Sequence, residues 1–172
     1  MANIDIPIKR LMQSNISDWV ELLIPNCKNE WIREMDADKV PAKKESRLDK
    51  LLFIEDPKGK YILNIEPQGY LDYKVSARML RYRADIWEHT IGIGLGTPCI
   101  KQAVIYFYQE HDNKQYSLND KWDEDKTLDF SYKAVKVWEL NKNTIIDKKL
   151  KSLYPLIPLM KRQGNESDDD IM

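Results

Sequence analysis

The sequence has few cysteines, few histidines and no long apolar run. Its two cysteines, Cys27 and Cys99, lie far apart and form no CxxC pair, so we expect neither a zinc site nor a disulfide framework. The two histidines, His89 and His111, lie in separate segments, which argues against a histidine metal site. No stretch approaches the roughly 20 apolar residues that span a bilayer, and the N-terminus lacks the apolar core of a secretory signal. We therefore expect a cytoplasmic protein with no membrane segment.

The charges are unevenly distributed, although the formal net charge is only -1. Lysine and arginine concentrate in residues 39–50 and 74–83, whereas the segment ESDDD near the C-terminus holds four of the 28 acidic residues. A local basic patch, rather than the net charge, determines whether a protein binds phosphate. The length predicts a single domain over residues 1–161, and the composition predicts a disordered acidic tail over residues 162–172.

Apolar residues recur at helical spacing in two segments. The first predicts a helix that begins near Asp18, is capped by Ser17 and ends at Pro25. The second predicts an amphipathic helix over residues 74–89, whose buried face carries Val75, Met79, Tyr82 and Ile86. Residues 150–160 contain two prolines and predict a short helix or an apolar clasp.

Strand patterns occupy the rest of the apolar sequence. The blocks 51–54 and 61–65 flank the turn signal DPKG and predict two antiparallel strands joined by a tight turn. Residues 103–108 and 132–138 predict two further strands, the polar stretch 111–125 predicts a loop, and residues 30–40 fit strand or loop. Glycines 92, 94 and 96 follow a helix and precede a strand, which indicates a hinge rather than a nucleotide-binding loop. This order predicts an α/β fold with a mixed central β-sheet flanked by helices.

Three polar residues, Asp49, Glu66 and Gln68, follow or precede the apolar blocks of the hairpin. Asp49 and Glu66 are equally far from the turn at Pro57 and Lys58, so the pattern predicts that they face each other, about 5 Å apart at Cβ. The strand period of two puts Gln68 on the face of Glu66. The plainer interpretation is that Asp49 and Glu66 are ordinary solvent-facing residues at strand ends.

A divalent cation is the natural way to keep two such close carboxylates ionised. The geometry suits Mg²⁺, with Mn²⁺ as a further candidate. A hard cation held by two carboxylates and a few waters can activate one water and stabilise negative charge on a phosphate, which is the core of phosphodiester hydrolysis.

Five segments resemble the Rpn family of recombination-promoting nucleases and putative transposases, in the PD-(D/E)XK nuclease superfamily: RLDKLLFIEDPKGKYILNIEPQGYLD, ARMLRYRADIW, KQAVIYFY, VKVWEL and LYPLIPLMK. The resemblance covers residues 5–161, with the segments in the family's order and spacing. It implies a restriction-endonuclease-like core and a metal-dependent DNA endonuclease that hydrolyses phosphodiester bonds.

The resemblance also implies roles for the polar triplet. The family's metal-binding aspartate matches Asp49, and its ExQ motif matches Glu66 and Gln68. Gln68 stands where the superfamily at large has a lysine, and its neutral amide can orient water or phosphate only through hydrogen bonds. A first-helix acid often adds a metal ligand in the superfamily; Glu21 is the candidate here, with Asp18 as its competitor.

Two arginines are candidate DNA phosphate ligands. The family's RMxxY helix motif matches Arg78, Met79 and Tyr82, and Arg81 shares a side of the predicted helix with Arg78. Both guanidinium groups could hold phosphate oxygens, although helix arginines are often simply solvated.

The sequence leaves more than one function open. The first is a Mg²⁺-dependent DNA endonuclease, for which a homodimer would help in making two cuts. The second is a catalytically inactive nuclease-fold module for DNA binding or assembly, since many relatives in the family continue beyond the point where this chain stops. A transposase that also joins strands is a third, which no residue distinguishes from simple hydrolysis.

Overall fold

The computed structural model describes residues 11, 15–35, 48–122 and 124–161. The described residues contain one five-stranded mixed sheet and one separate two-stranded hairpin. The strands are β1 (Ile32–Glu34), β2 (Lys50–Asp56), β3 (Gly59–Gln68), β4 (Cys99–Tyr106), β5 (Ser117–Trp122), β6 (Asp125–Ser131) and β7 (Lys133–Lys136). The large sheet has the order β1-β2-β3-β4-β7, and β5 pairs with β6.

The large sheet is antiparallel on one side and parallel on the other. β1, β2 and β3 pair antiparallel, whereas β4 runs parallel to β3 and β7 runs parallel to β4. The carboxyl ends of β3, β4 and β7 therefore meet at one edge, where ligands commonly bind in open α/β sheets. The predicted mixed sheet with flanking helices is confirmed.

Three α-helices lie among the described residues: α1 (Ile16–Leu23), α2 (Val75–Gly92) and α3 (Lys142–Asp147). Helix α1 ends before Pro25 as predicted, but the predicted Ser17 cap is wrong because Asn15 is the N-cap residue. Helix α2 confirms the predicted amphipathic helix and extends it by one turn at its C-terminus. The predicted helix near the C-terminal prolines is a 3₁₀-helix, Lys151–Leu159.

The two faces of the large sheet carry separate cores. One face packs against α1 and the C-terminal 3₁₀-helix through residues such as Leu52, Leu63 and Ile65. The other face packs against α2 through residues such as Leu51 and Ile62. Because neighbouring strand residues point to opposite faces, the alternation along β2 and β3 decides which side chains meet α2.

The hairpin β5–β6 corrects the prediction of a loop over residues 111–125. Most of its side chains are exposed, so the sequence lacks the apolar alternation by which a strand is recognised. Strand β4 also begins at Cys99 rather than at residue 103, since Cys99 and the next three residues pair with β3.

Some predictions concern residues beyond the described part of the chain. The predicted acidic tail over residues 162–172 lies outside it, as does most of the basic stretch that begins at residue 39. None of the described helices combines the length and the apolar character that crossing a membrane requires.

Buried tyrosines predict a loss of stability at alkaline pH. Burial raises the pKa of Tyr106, and its hydrogen bond to Tyr132 raises it further; the pKa of Tyr61 and the pKa of Tyr82 are also raised, mainly by burial. Because the folded-state pKa lies above the ordinary value of 10.0, the stability is fully present below pH 10 and falls as the pH rises further.

Urea unfolding at several pH values tests this expectation with Tyr106→Phe. We expect the free energy of unfolding of the wild-type protein to fall above pH 10. In the variant the fall should be less steep, because one tyrosine proton is no longer involved. The difference between the two slopes should be about 1.4 kcal/mol per pH unit, the value for one proton. Equal slopes for the two proteins between pH 10 and 12 would contradict the assignment to Tyr106.

Candidate active site

The paired part of the β2–β3 hairpin ends one residue short of Asp49 and Glu66. The ladder runs without a shift from Asp56 paired with Gly59 to Lys50 paired with Ile65. Asp49 lies at a bend just before Lys50, and Glu66 follows Ile65 in β3. The predicted hairpin and its register over residues 50–65 are confirmed, whereas the predicted pairing of Asp49 with Glu66 stays a prediction.

Besides burial, the carboxylates of Glu66 and Asp49 both raise the pKa of Tyr82 in helix α2. Burial raises the pKa of Tyr82 most, the Glu66 carboxylate raises it further, and Asp49 adds a smaller increase. Arg78 and Arg81 lower the same pKa. Glu66 lies on the sheet face that α2 covers, because it alternates along β3 with Ile65 of the opposite face.

Arg78 joins the acidic and amide groups of the site. Its Nη2 lies 3.2 Å from Glu66 Oε1 and donates to Gln68 Oε1 at 2.7 Å. Its Nη1 donates to Asp72 Oδ2 at 2.7 Å. Glu66 and Gln68 are buried, and only 14% of the Arg78 side chain is exposed. A buried carboxylate is costly unless it is paired, so this guanidinium stabilises Glu66 inside the fold.

The positive charge of Arg78 is maintained despite its burial. Burial lowers the pKa of Arg78, but Glu66, Tyr70 and Tyr82 together outweigh that effect and leave the pKa above its ordinary value. The Arg78 side chain is therefore positively charged at neutral pH.

The orientation of the Gln68 amide is fixed at both ends. Its Oε1 accepts from Arg78, and its Nε2 donates to the carbonyl of Tyr70. Asp72 is held in turn, since its Oδ1 accepts from the backbone N–H of Lys74 at 2.8 Å and its carbonyl accepts from Asn113 Nδ2 at 2.9 Å. Strand β3, the segment after it and helix α2 therefore form one hydrogen-bonded unit.

Arg81 has a different environment from Arg78. It lies three residues further along α2, and its side chain is exposed. The structure thus places Arg78 within the site and Arg81 at its solvent side.

The structure does not bring Glu21 to Asp49 and Glu66. Glu21 forms an ion pair with Lys148 and accepts from the backbone N–H of Asn26 at 2.7 Å. Glu21 lies on α1, which packs on the opposite face of the sheet from α2. The apolar side of α1 contacts residues such as Leu63 and Ile65, which alternate along β3 with Glu66 and Gln68.

The competing acid, Asp18, is also engaged elsewhere. Its Oδ2 accepts from the backbone N–H and the hydroxyl of Ser152, both at 2.8 Å. Its carboxylate joins α1 to the start of the C-terminal 3₁₀-helix, and neither first-helix acid contributes to the candidate site.

Without the first-helix acids, the predicted metal ligands are reduced to the carboxylates of Asp49 and Glu66. Within the described ranges, no group of three or more His, Cys, Asp or Glu side chains could hold a metal ion. Mg²⁺ is commonly held by one or two carboxylates with waters completing its shell. The ion pair with Arg78 uses Glu66 Oε1, and a carboxylate offers two oxygens with about four lone pairs, so the ion pair and a metal bond are compatible.

Sequence reasoning missed the buried polar residues Asn64 and Gln102. Gln102 Nε2 donates to Asn64 Oδ1 at 3.1 Å and to the carbonyl of Met79 at 2.8 Å, and Arg83 Nε donates to Gln102 Oε1 at 3.0 Å. These bonds attach α2 to β3 and β4 beside the site. The signal was present for Asn64, a polar residue within the apolar block YILNI.

Comparison of the chain with models of known families, with curated proteins and with solved structures finds no match. The function of the site must therefore be inferred from its own residues and geometry.

Removing Arg78 should destabilise the fold markedly. We expect Arg78→Met to lower the free energy of unfolding by about 3 kcal/mol, because it leaves a buried carboxylate without its cation. Adding Glu66→Gln should recover part of that loss. The matched control is Arg81→Met on the same helix, which should change stability by less than about 0.5 kcal/mol. Similar effects of the two arginine variants in urea unfolding would contradict the structural role of Arg78.

Proposed function

We propose that this protein is a metal-dependent DNA endonuclease with a restriction-endonuclease-like core, of the recombination-promoting nuclease type. The observation that carries the proposal is the register of β2 and β3, whose last pair is Lys50 with Ile65; continued by one residue, this register would set Asp49 opposite Glu66. Gln68 follows two residues later on the same strand. This arrangement supports the interpretation of Asp49, Glu66 and Gln68 as a catalytic triplet.

Asp49 and Glu66 would hold Mg²⁺ or Mn²⁺ through their carboxylate oxygens. A cation bound there supplies Lewis-acid stabilisation of the phosphate and lowers the pKa of a bound water. The Gln68 amide is buried and uses one N–H and one lone pair on Tyr70 and Arg78. Its second N–H and second lone pair would orient water or a phosphate oxygen by hydrogen bonding. Arg78 already holds the Glu66 and Gln68 side chains in place.

Arg78 and Arg81 would have different electrostatic roles. Arg78 is occupied by Glu66, Gln68 and Asp72, so its main role is to keep the carboxylate and the amide in position while adding positive charge beneath the phosphate. Arg81, which is exposed, is the better direct ligand for a DNA phosphate oxygen. DNA is the proposed partner, the cytoplasm the proposed location and a homodimer the proposed assembly for paired cuts.

One observation favours the alternative of a catalytically inactive DNA-binding or assembly module. The Arg78 guanidinium already compensates the charge of Glu66, which is one of the tasks that a metal would perform. In such a protein the triplet would serve the fold alone, and DNA would be held by exposed cations such as Arg81.

A plasmid-nicking assay with Mg²⁺ tests the endonuclease. We expect the wild-type protein to nick supercoiled DNA, EDTA to abolish the activity, and Asp49→Asn and Glu66→Gln to lower the rate roughly 100- to 1,000-fold, because metal stabilisation contributes several kcal/mol. Glu55→Gln is the matched control, since Glu55 lies in the same hairpin near the turn and pairs with Lys60. Equal nicking by all four proteins would assign the activity to another site or to a contaminant.

Calorimetric titration with Mn²⁺ separates the two functions. If the protein is the proposed endonuclease, the wild-type protein should bind Mn²⁺. The Asp49→Asn variant should bind Mn²⁺ at least tenfold more weakly, because it lacks one charged ligand. The inactive module instead gives no metal binding, while DNA binding persists and weakens steeply with salt.

A further inference from the structure

Large apolar side chains are exposed in segment 69–74, directly after β3. Tyr70 is 50%, Leu71 42% and Tyr73 74% exposed. Single exposed apolar residues are ordinary, but three within four consecutive residues beside a polar site are a candidate contact surface. This segment follows Gln68 without an intervening element, so the surface adjoins the candidate active site.

The segment is attached to the site by hydrogen bonds. The Tyr70 carbonyl accepts from Gln68, and the Tyr70 hydroxyl accepts from Arg78 Nη1 at 3.4 Å. Asp72 binds Arg78 and Asn113. These bonds fix the backbone on which the exposed rings of Tyr70 and Tyr73 are carried, so little conformational entropy remains to be lost when a ligand contacts them.

The chemistry of this surface matches that of proteins that bind single strands. Such proteins combine aromatic faces, on which bases stack, with cations that follow the phosphates. Here Lys74 adjoins Tyr73, and Arg81 lies on the helix that follows; both are exposed. A base inside a duplex already has both faces stacked on its neighbours, so a tyrosine face can be covered only by an unpaired base.

We propose that Tyr73 and Tyr70 form a stacking platform for unpaired bases next to the scissile phosphate, so that the preferred substrate is single-stranded or locally unpaired DNA. The proposal rests on the proposed function, which supplies the position of the phosphate. Leu71 adds apolar contact with the same strand. The platform distinguishes unpaired from paired bases. It does not distinguish one base from another, because every base has a π face.

Fluorescence anisotropy with the cleavage-deficient Asp49→Asn protein tests the platform. The probes are a labelled single strand and a hairpin duplex that contains the same sequence. We expect tighter binding of the single strand, a loss of about tenfold or more when Tyr73→Ala is added, and less than a twofold change in duplex affinity. Tyr73→Phe should retain the affinity because it keeps the aromatic face.

The matched control is Tyr154→Ala, since Tyr154 is 37% exposed on the C-terminal 3₁₀-helix, and it should leave both affinities unchanged. Three outcomes overturn the platform: no single-strand binding by the parent protein, no loss with Tyr73→Ala, or an equal loss for both probes.

A plasmid-nicking assay of the wild-type protein distinguishes failure of the stacking platform from failure of the proposed endonuclease function. Nicking that requires Asp49, together with no effect of Tyr73→Ala on single-strand binding, removes the platform and leaves the endonuclease. Single-strand binding that requires Tyr73, without any nicking, removes the endonuclease and leaves the platform.

Discussion

The geometry of the candidate site depends on the two-residue turn at Pro57 and Lys58. Asp56 fixes this turn, since its Oδ1 accepts from the backbone N–H of Lys58 at 2.8 Å, and Gly59 supplies the positive φ of 141° that closes it. The turn sets the pairing register of β2 and β3 over their whole length. A slip of one residue would send the side chains of a strand to the opposite face. Glu66 would then no longer lie on the face that α2 covers.

Once the register is set, the charge of Glu66 organises its surroundings. A buried carboxylate must be compensated, and Arg78 of α2 reaches it while also binding Gln68 and Asp72. The same guanidinium thereby connects the strand end, the helix and the exposed segment that carries Tyr70. Structural support and the proposed catalytic and binding roles consequently depend on one set of contacts, and the exposed groups at its solvent side are the ones available to a nucleic acid.

The elements with strong local signals were predictable from the sequence. The DPKG turn between two apolar blocks predicted the hairpin, and the spacing of Val75, Met79 and Tyr82 predicted helix α2. The polar hairpin β5–β6 and the short helix α3 were not predicted, because neither presents a long apolar face. The position of Glu21 could not be inferred either, since it depends on which face of the sheet α1 covers, and the tertiary packing of α1 decides that.

In the proposed active site, the carboxylates of Asp49 and Glu66 share one divalent cation. Crystals grown with Mn²⁺ test it most directly, because the anomalous scattering of manganese locates the ion independently of any assay. We expect one peak between the two side chains, roughly 2 Å from a carboxylate oxygen of each. An anomalous map with no peak there, while Arg78 remains on Glu66, would contradict it.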